Sequence, residues 1–113
     1  MKAVGAGPES VGSKAGGRSG DLRALLRGSP AAALARLVSG DPLGVRLVVR
    51  KRLEQRALLM DAERVTLRGL ARCARYGPTL GERVALRRWV VEQVDASIDE
   101  LLRAEHRRGC LLY

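Results

Sequence analysis

The chain of 113 residues contains no phenylalanine, one tryptophan, two tyrosines, one histidine and two cysteines. Each scarcity excludes something. His106 has no second histidine to share a metal with, and Cys73 and Cys110 lack the close pairing that zinc sites use. No metal site and no cofactor is expected. Two distant cysteines make no disulfide framework and suit a reducing compartment. No apolar run approaches the ~20 residues of a membrane span. The opening MKAVGAGPES has no apolar stretch long enough for a signal peptide. A cytoplasmic protein without membrane contact is therefore expected.

Catalytic constellations are equally sparse. Cys110 and His106 make the one thiol–imidazole pair, but Glu105 is the single carboxylate near enough to orient it. Asp95 and Asp99 lie one helical turn apart, an arrangement more common on a solvated helix face than in an acid–base cleft. GPESVGSK has a Gly and a Ser-Lys order, but it lacks the ending and the preceding strand of a phosphate loop. No catalytic residue is assigned, and no enzymatic function is expected.

What is abundant is arginine. Lys and Arg number 21 against 12 acids, a formal charge of +9, and nearly all the cations are Arg. Such a balance attracts polyanions or acidic protein surfaces and says nothing about fold. Arginine keeps its charge and makes forked contacts to phosphate or carboxylate. A GC-rich coding sequence is a second source of the same composition.

Periodicity places one all-α domain, a small bundle of four or five helices, over residues 21–109. Residues 1–20 hold six Gly, one Pro and three Ser with almost nothing to bury, and read as a disordered arm. Residues 110–113 read as a short tail. Asp21 caps a short helix that stops at Gly28, and Ser29-Pro30 opens a second that runs to Gly40. In that second helix Leu34, Leu37 and Val38 make the apolar side.

A third segment runs from Val45 to Met60, with Val45, Val48 and Val49 on one side and Arg50 one turn from Glu54. Asp61 caps a fourth, which Gly77-Pro78 ends. Its inward face follows Ala62, Val65, Gly69 or Leu70, and Cys73. Thr79 and Glu82 fit a capping box for a last helix from about Leu80 to His106. Val84, Val91, Val94, Ile98, Leu101 and Leu102 stripe that helix, and Asp99 is placed to pair with Arg103.

The basic residues concentrate between Arg46 and Arg75. Arg46 and Arg50 lie on one helix. Arg64, Arg68, Arg72 and Arg75 form a single ridge on the next, where like charges repel unless something stabilises them. If the two helices pair as a hairpin, these side chains line one electropositive surface suited to phosphate. Trp89 has two readings: a platform for base stacking, or an anchor packed against the preceding helix.

The run YGPTLGERVALRRWVVEQVDASIDELLRAEHRR resembles the end of the second conserved region of bacterial RNA polymerase sigma factors. Gly81 and Glu82 match the turn. Arg87 or Arg88, Trp89, Val90 and Val94 match the helix, and Ile98, Asp99, Leu101 and Arg103 match its ending. The resemblance implies a DNA-binding transcription initiation module that contacts core RNA polymerase and promoter DNA. Arg87, Arg88 and Trp89 would approach the DNA. Arg46, Arg50, Arg64, Arg68, Arg72 and Arg75 would meet phosphate or polymerase acids, with DNA a better fit than RNA.

The chain departs from the family pattern in three ways. It lacks the family's several aromatics, LMDAERVTLRGLARCARY replaces an acidic stretch, and no segment has room for a second helix-turn-helix domain. The alternative is a small helical protein-interaction module or homodimer with no nucleic-acid role, motivated by the long apolar stripe of the last helix.

Overall fold

A computed structural model describes the backbone of residues 14–112 and the side chains of 20–107. Five α-helices follow one another: α1 (Lys14–Leu26), α2 (Pro30–Gly40), α3 (Val45–Gln55), α4 (Ala62–Tyr76) and α5 (Leu86–Leu112), with a 3-10 turn at Gly77–Thr79 before α5. The all-α bundle expected from periodicity is the observed architecture. Helix α1 begins inside the stretch read as an arm. Helix α5 likewise continues past His106 to Leu112, through most of the stretch read as a tail, while residues 1–13 and 113 lie outside the described residues.

Helices α3, α4 and α5 form the centre, each packing on the other two. Val45, Val49 and Leu53 of α3 meet Val65, Leu70 and Cys73 of α4 and Trp89, Val90, Val94, Ile98 and Leu101 of α5. Gly69 lies where α4 comes close to both α3 and α5. A Cβ there would stand 3.3 Å from Val45 Cγ1 and 3.7 Å from Val94 Cγ2. Helix α2 lies on α4, and α1 bridges α2, α4 and the 3-10 turn. At the α1 contact a Cβ on Gly77 would stand only 2.5 Å from the Leu26 carbonyl oxygen. Glycine there lets backbone meet backbone.

Several boundaries differ from the sequence expectation, each for a local reason. Helix α3 ends at Gln55 rather than continuing to Met60. Leu58 N–H donates to Leu53 O at 2.9 Å and Ala57 N–H to Glu54 O at 3.1 Å, closing a Schellman cap. Ala57 carries that cap in the left-handed region, at φ 53, without the glycine that usually signals it. Helix α5 begins at Leu86, not Leu80, because the capping-box residues are engaged elsewhere. Thr79 Oγ1 donates to Tyr76 O at 2.6 Å, and Glu82 pairs with Arg27 at 3.6 Å. Helix α3 is capped from a distance. Asp41 accepts from the backbone N–H of Val45 at 2.8 Å and of Arg46 at 3.0 Å.

Two faces are rotated from the expected ones. Ala33 and Leu37 are the buried residues of α2, while Val38 is 47 % exposed. On α5, Trp89, Val90, Gln93, Val94, Ser97 and Ile98 are buried, because α3 and α4 cover it from two sides. Val84 lies outside the helix and is exposed. Two anticipated ion pairs are replaced. Arg50 and Glu54 form none, and Asp99 turns to Arg56 rather than Arg103.

Candidate interaction surface

The arginines fall into two populations, and the division locates the candidate site. The first population joins helices. Arg52 Nε donates to Asp95 at 2.9 Å, and Arg56 donates to Asp99 at 2.9 Å while also lying 3.7 Å from Asp95. These pairs tie the end of α3 to the middle of α5. On the other flank, Arg68 Nε donates to Glu100 at 2.9 Å, Arg72 donates to the same carboxylate, and Arg72 Nε donates to Gln93 at 3.2 Å. Arg46 makes a two-pronged pair with Glu63 between α3 and α4. Arg23 donates to Gly81 O at 3.0 Å and to Val84 O, so α1 holds the loop that leads into α5.

The electrostatics follow the contacts. The hydrogen bond from Arg68, then the charge of Arg72, holds the Glu100 carboxyl below the usual carboxylate range. Arg46 does the same for Glu63. Burial pushes the Cys73 thiol up to about 12, which leaves it protonated and unreactive at neutral pH.

The ridge on α4 is therefore divided. Arg68 and Arg72 face α5 and are paired. Arg72 and Arg75 lie over the Tyr76 ring, 4.8 and 5.5 Å from its centroid. Arg64 makes no ion pair among the described residues. Tyr76 was not singled out as a site residue, and the i, i+4 spacing of Arg72 and Tyr76 was the signal for this contact.

Trp89 is 7 % exposed and packed in the core with Val90. Its indole has no open face, so the anchor reading describes its place and the stacking reading does not. The assigned DNA-approaching trio thus separates: Arg87 and Arg88 are exposed while Trp89 points inward.

The second population lies where α3 and α5 diverge. A groove of about 470 Å³ opens between the first two turns of α3 and the first turns of α5. Leu43, Leu47, Val48 and Val91 supply apolar surface, and Lys51, Arg87 and Arg88 supply charge. Leu47 is 54 % exposed, a large apolar side chain without cover. Lys51, Arg87 and Arg88 make no hydrogen bond or ion pair among the described residues. Arg50, on the same helix as Lys51, is likewise exposed and unpaired.

Of the residues expected at a nucleic-acid surface, Arg46, Arg68 and Arg72 are tied to acids of the same chain. Arg50, Arg64, Arg87 and Arg88 meet no acid among the described residues, and Arg75 sits beside Tyr76. The groove itself was missed in the sequence. Leu47 and Lys51 follow one another by one turn, but nothing in the pattern said that the start of α5 would lie opposite them.

Among the described residues no three His, Cys, Asp or Glu side chains cluster to hold a metal ion, and no helix is long and apolar enough to cross a membrane. No protein-family model, no curated protein and no solved structure matches the chain.

Proposed function

We propose that the protein is a non-catalytic helical binding module that receives a segment of another protein in the groove between α3 and α5. One observation carries this reading: an exposed apolar side chain, Leu47, stands beside three cations that no acid among the described residues engages. Large exposed apolar side chains gathered in a groove mark interaction sites more often than isolated ones do. Arginine is among the residues enriched at the anchors of protein interfaces. The reading places no role on Trp89 or on the paired arginines, which already have work in the bundle.

The sigma-like reading keeps one support, the exposed arginines Arg50, Arg64, Arg87 and Arg88. It predicts salt-sensitive binding to DNA through phosphate contacts. The two readings separate in paired experiments on the full chain. One is selection from a displayed random-peptide library, using the protein and its Leu47→Gln variant. The other is titration of labelled duplex and single-stranded DNA at two salt concentrations, with core RNA polymerase in parallel. The binding-module reading expects enriched peptides that lose the Leu47→Gln variant, and DNA affinity that is weak and indifferent to Leu47. Tight DNA or polymerase binding that falls on Arg87→Gln and Arg88→Gln, with no enriched peptide, would replace it with the sigma-like reading. Sedimentation of the free protein covers the homodimer. Self-association abolished by Leu47→Gln would put a second copy in the groove.

A further inference from the structure

From the chemistry of the groove we infer that its occupant is an amphipathic helix with an acidic polar face, supplied by a partner protein. The inference rests on the binding-module reading and names the partner's chemistry.

The first argument is charge complementarity. Lys51, Arg87 and Arg88 border the apolar floor from both helices and make no ion pair among the described residues. Glu92, one turn along α5 from Arg88, makes no ion pair with it among the described residues. Asp95, Asp99 and Glu100 are already held by Arg52, Arg56, Arg68 and Arg72. The described chain leaves these cations free to meet carboxylates from outside.

The second argument is that the fold gains nothing from two of these cations. Arg87 and Arg88 stand in the first turn of α5, where the helix dipole is positive and acidic residues are favoured. No acidic side chain occupies that turn. Each arginine opposes the dipole and its neighbour. Partner carboxylates placed there would offset both repulsions at once.

The third argument is shape. The groove is an open trough rather than an enclosed cavity, with Leu47 half out of it and Val48 and Val91 half-buried. A small molecule needs most of its surface covered. A helix needs only a strip, into which it sets apolar side chains at spacings of three and four. The α3 wall from Val45 to Lys51 spans under two turns, roughly 9 Å, enough with Leu43 ahead of it for two such anchors.

The test uses displayed peptides of about four helical turns with one fixed apolar face and a polar face made acidic, neutral or basic. They are selected against the full-length protein, Leu47→Gln and the double variant Arg87→Gln/Arg88→Gln. Thermal melting checks that both variants fold, and exposure of all three side chains predicts that they do. Acidic-face peptides should bind about tenfold more tightly than neutral-face ones. The advantage should vanish with the arginine pair and shrink with added salt, while Leu47→Gln weakens both classes. Neutral or basic faces that bind as well as acidic ones would overturn the acidic partner and leave the groove as a binding site. Acidic peptides that bind Leu47→Gln unchanged would overturn both. A single-stranded DNA that displaces the acidic peptides, and binds without regard to Leu47, would assign the rim to a polyanion and overturn the helix.

Discussion

The seam between α4 and α5 and the groove between α3 and α5 use the same residue type to opposite ends. At the seam, Arg68 and Arg72 converge on one carboxylate, Glu100, and Arg72 also donates to Gln93. At the groove, Arg87 and Arg88 project beside Lys51 and make no ion pair among the described residues. Composition treats these residues as interchangeable parts of a +9 charge. The structure separates them by whether the chain supplies the partner. A basic protein is thus not basic everywhere in the same sense: part of its arginine is fastening, and part is left over for something else.

The sharpest way to break this comparison lies within one turn of α5. Trp89 is buried and Arg88 exposed, though they are adjacent. Trp89→Ala should cost about 3–5 kcal/mol in denaturant unfolding, the range for truncating a large buried aromatic. Arg88→Ala should change stability by less than about 0.5 kcal/mol. Equal effects would remove the distinction between core anchor and open rim.

A smaller effect is expected at the α3–α5 fastening. Asp95 accepts from Arg52 at 2.9 Å and lies 3.7 Å from Arg56, with about 30 % of each side chain exposed. Asp95→Ala should cost about 1–2 kcal/mol by the same measurement, below the full value of a buried charged hydrogen bond because solvent screens it. Loss no greater than that of Arg88→Ala would mean that the fastening arginines are also ornamental to stability.

The smallest effect is a dependence on pH. Folding holds the Glu100 carboxyl below its ordinary range, chiefly through the Arg68 hydrogen bond, so folding favours its charged form. That contribution is fully present above the ordinary Glu value of about 4.3 and is lost as the pH falls toward the folded value. The denaturant midpoint should be level near neutral pH and decline below about pH 5. Glu100→Gln should flatten part of the decline, and the Glu63 pair with Arg46 should leave the remainder. A decline of unchanged size in Glu100→Gln would show that Glu100 is not held this way.

Much of the fold was legible in the sequence, and the reasons are specific. Asp61 preceding a strongly periodic run, and Gly77-Pro78 closing it, defined α4 to the residue, because capping and proline chemistry are local. The inward faces of α3 and α4 followed from apolar spacing alone. The end of α3 was hidden because Ala57 takes a conformation usually signalled by glycine. The start of α5 was hidden because Thr79 and Glu82, a valid capping box by spacing, are claimed by Tyr76 O and Arg27. The surface was the least legible. Arg64, Arg68, Arg72 and Arg75 share a ridge by periodicity, but which of them meets an acid depends on where α5 lies, and that is set by packing between distant segments. The groove has the same origin.

The most direct test of the division is a nitrogen–proton correlation spectrum of the arginine side chains in the free protein at near-neutral pH. Arg52, Arg68 and Arg72 each donate their Nε–H to an acceptor on α5. Their signals should be sharp and slow to exchange with water. Arg50, Arg64, Arg87 and Arg88 make no such bond, and their signals should exchange rapidly and broaden. Protected Nε–H signals from Arg87 and Arg88, equal to those of the seam, would show that the chain already supplies their partners and would contradict the account.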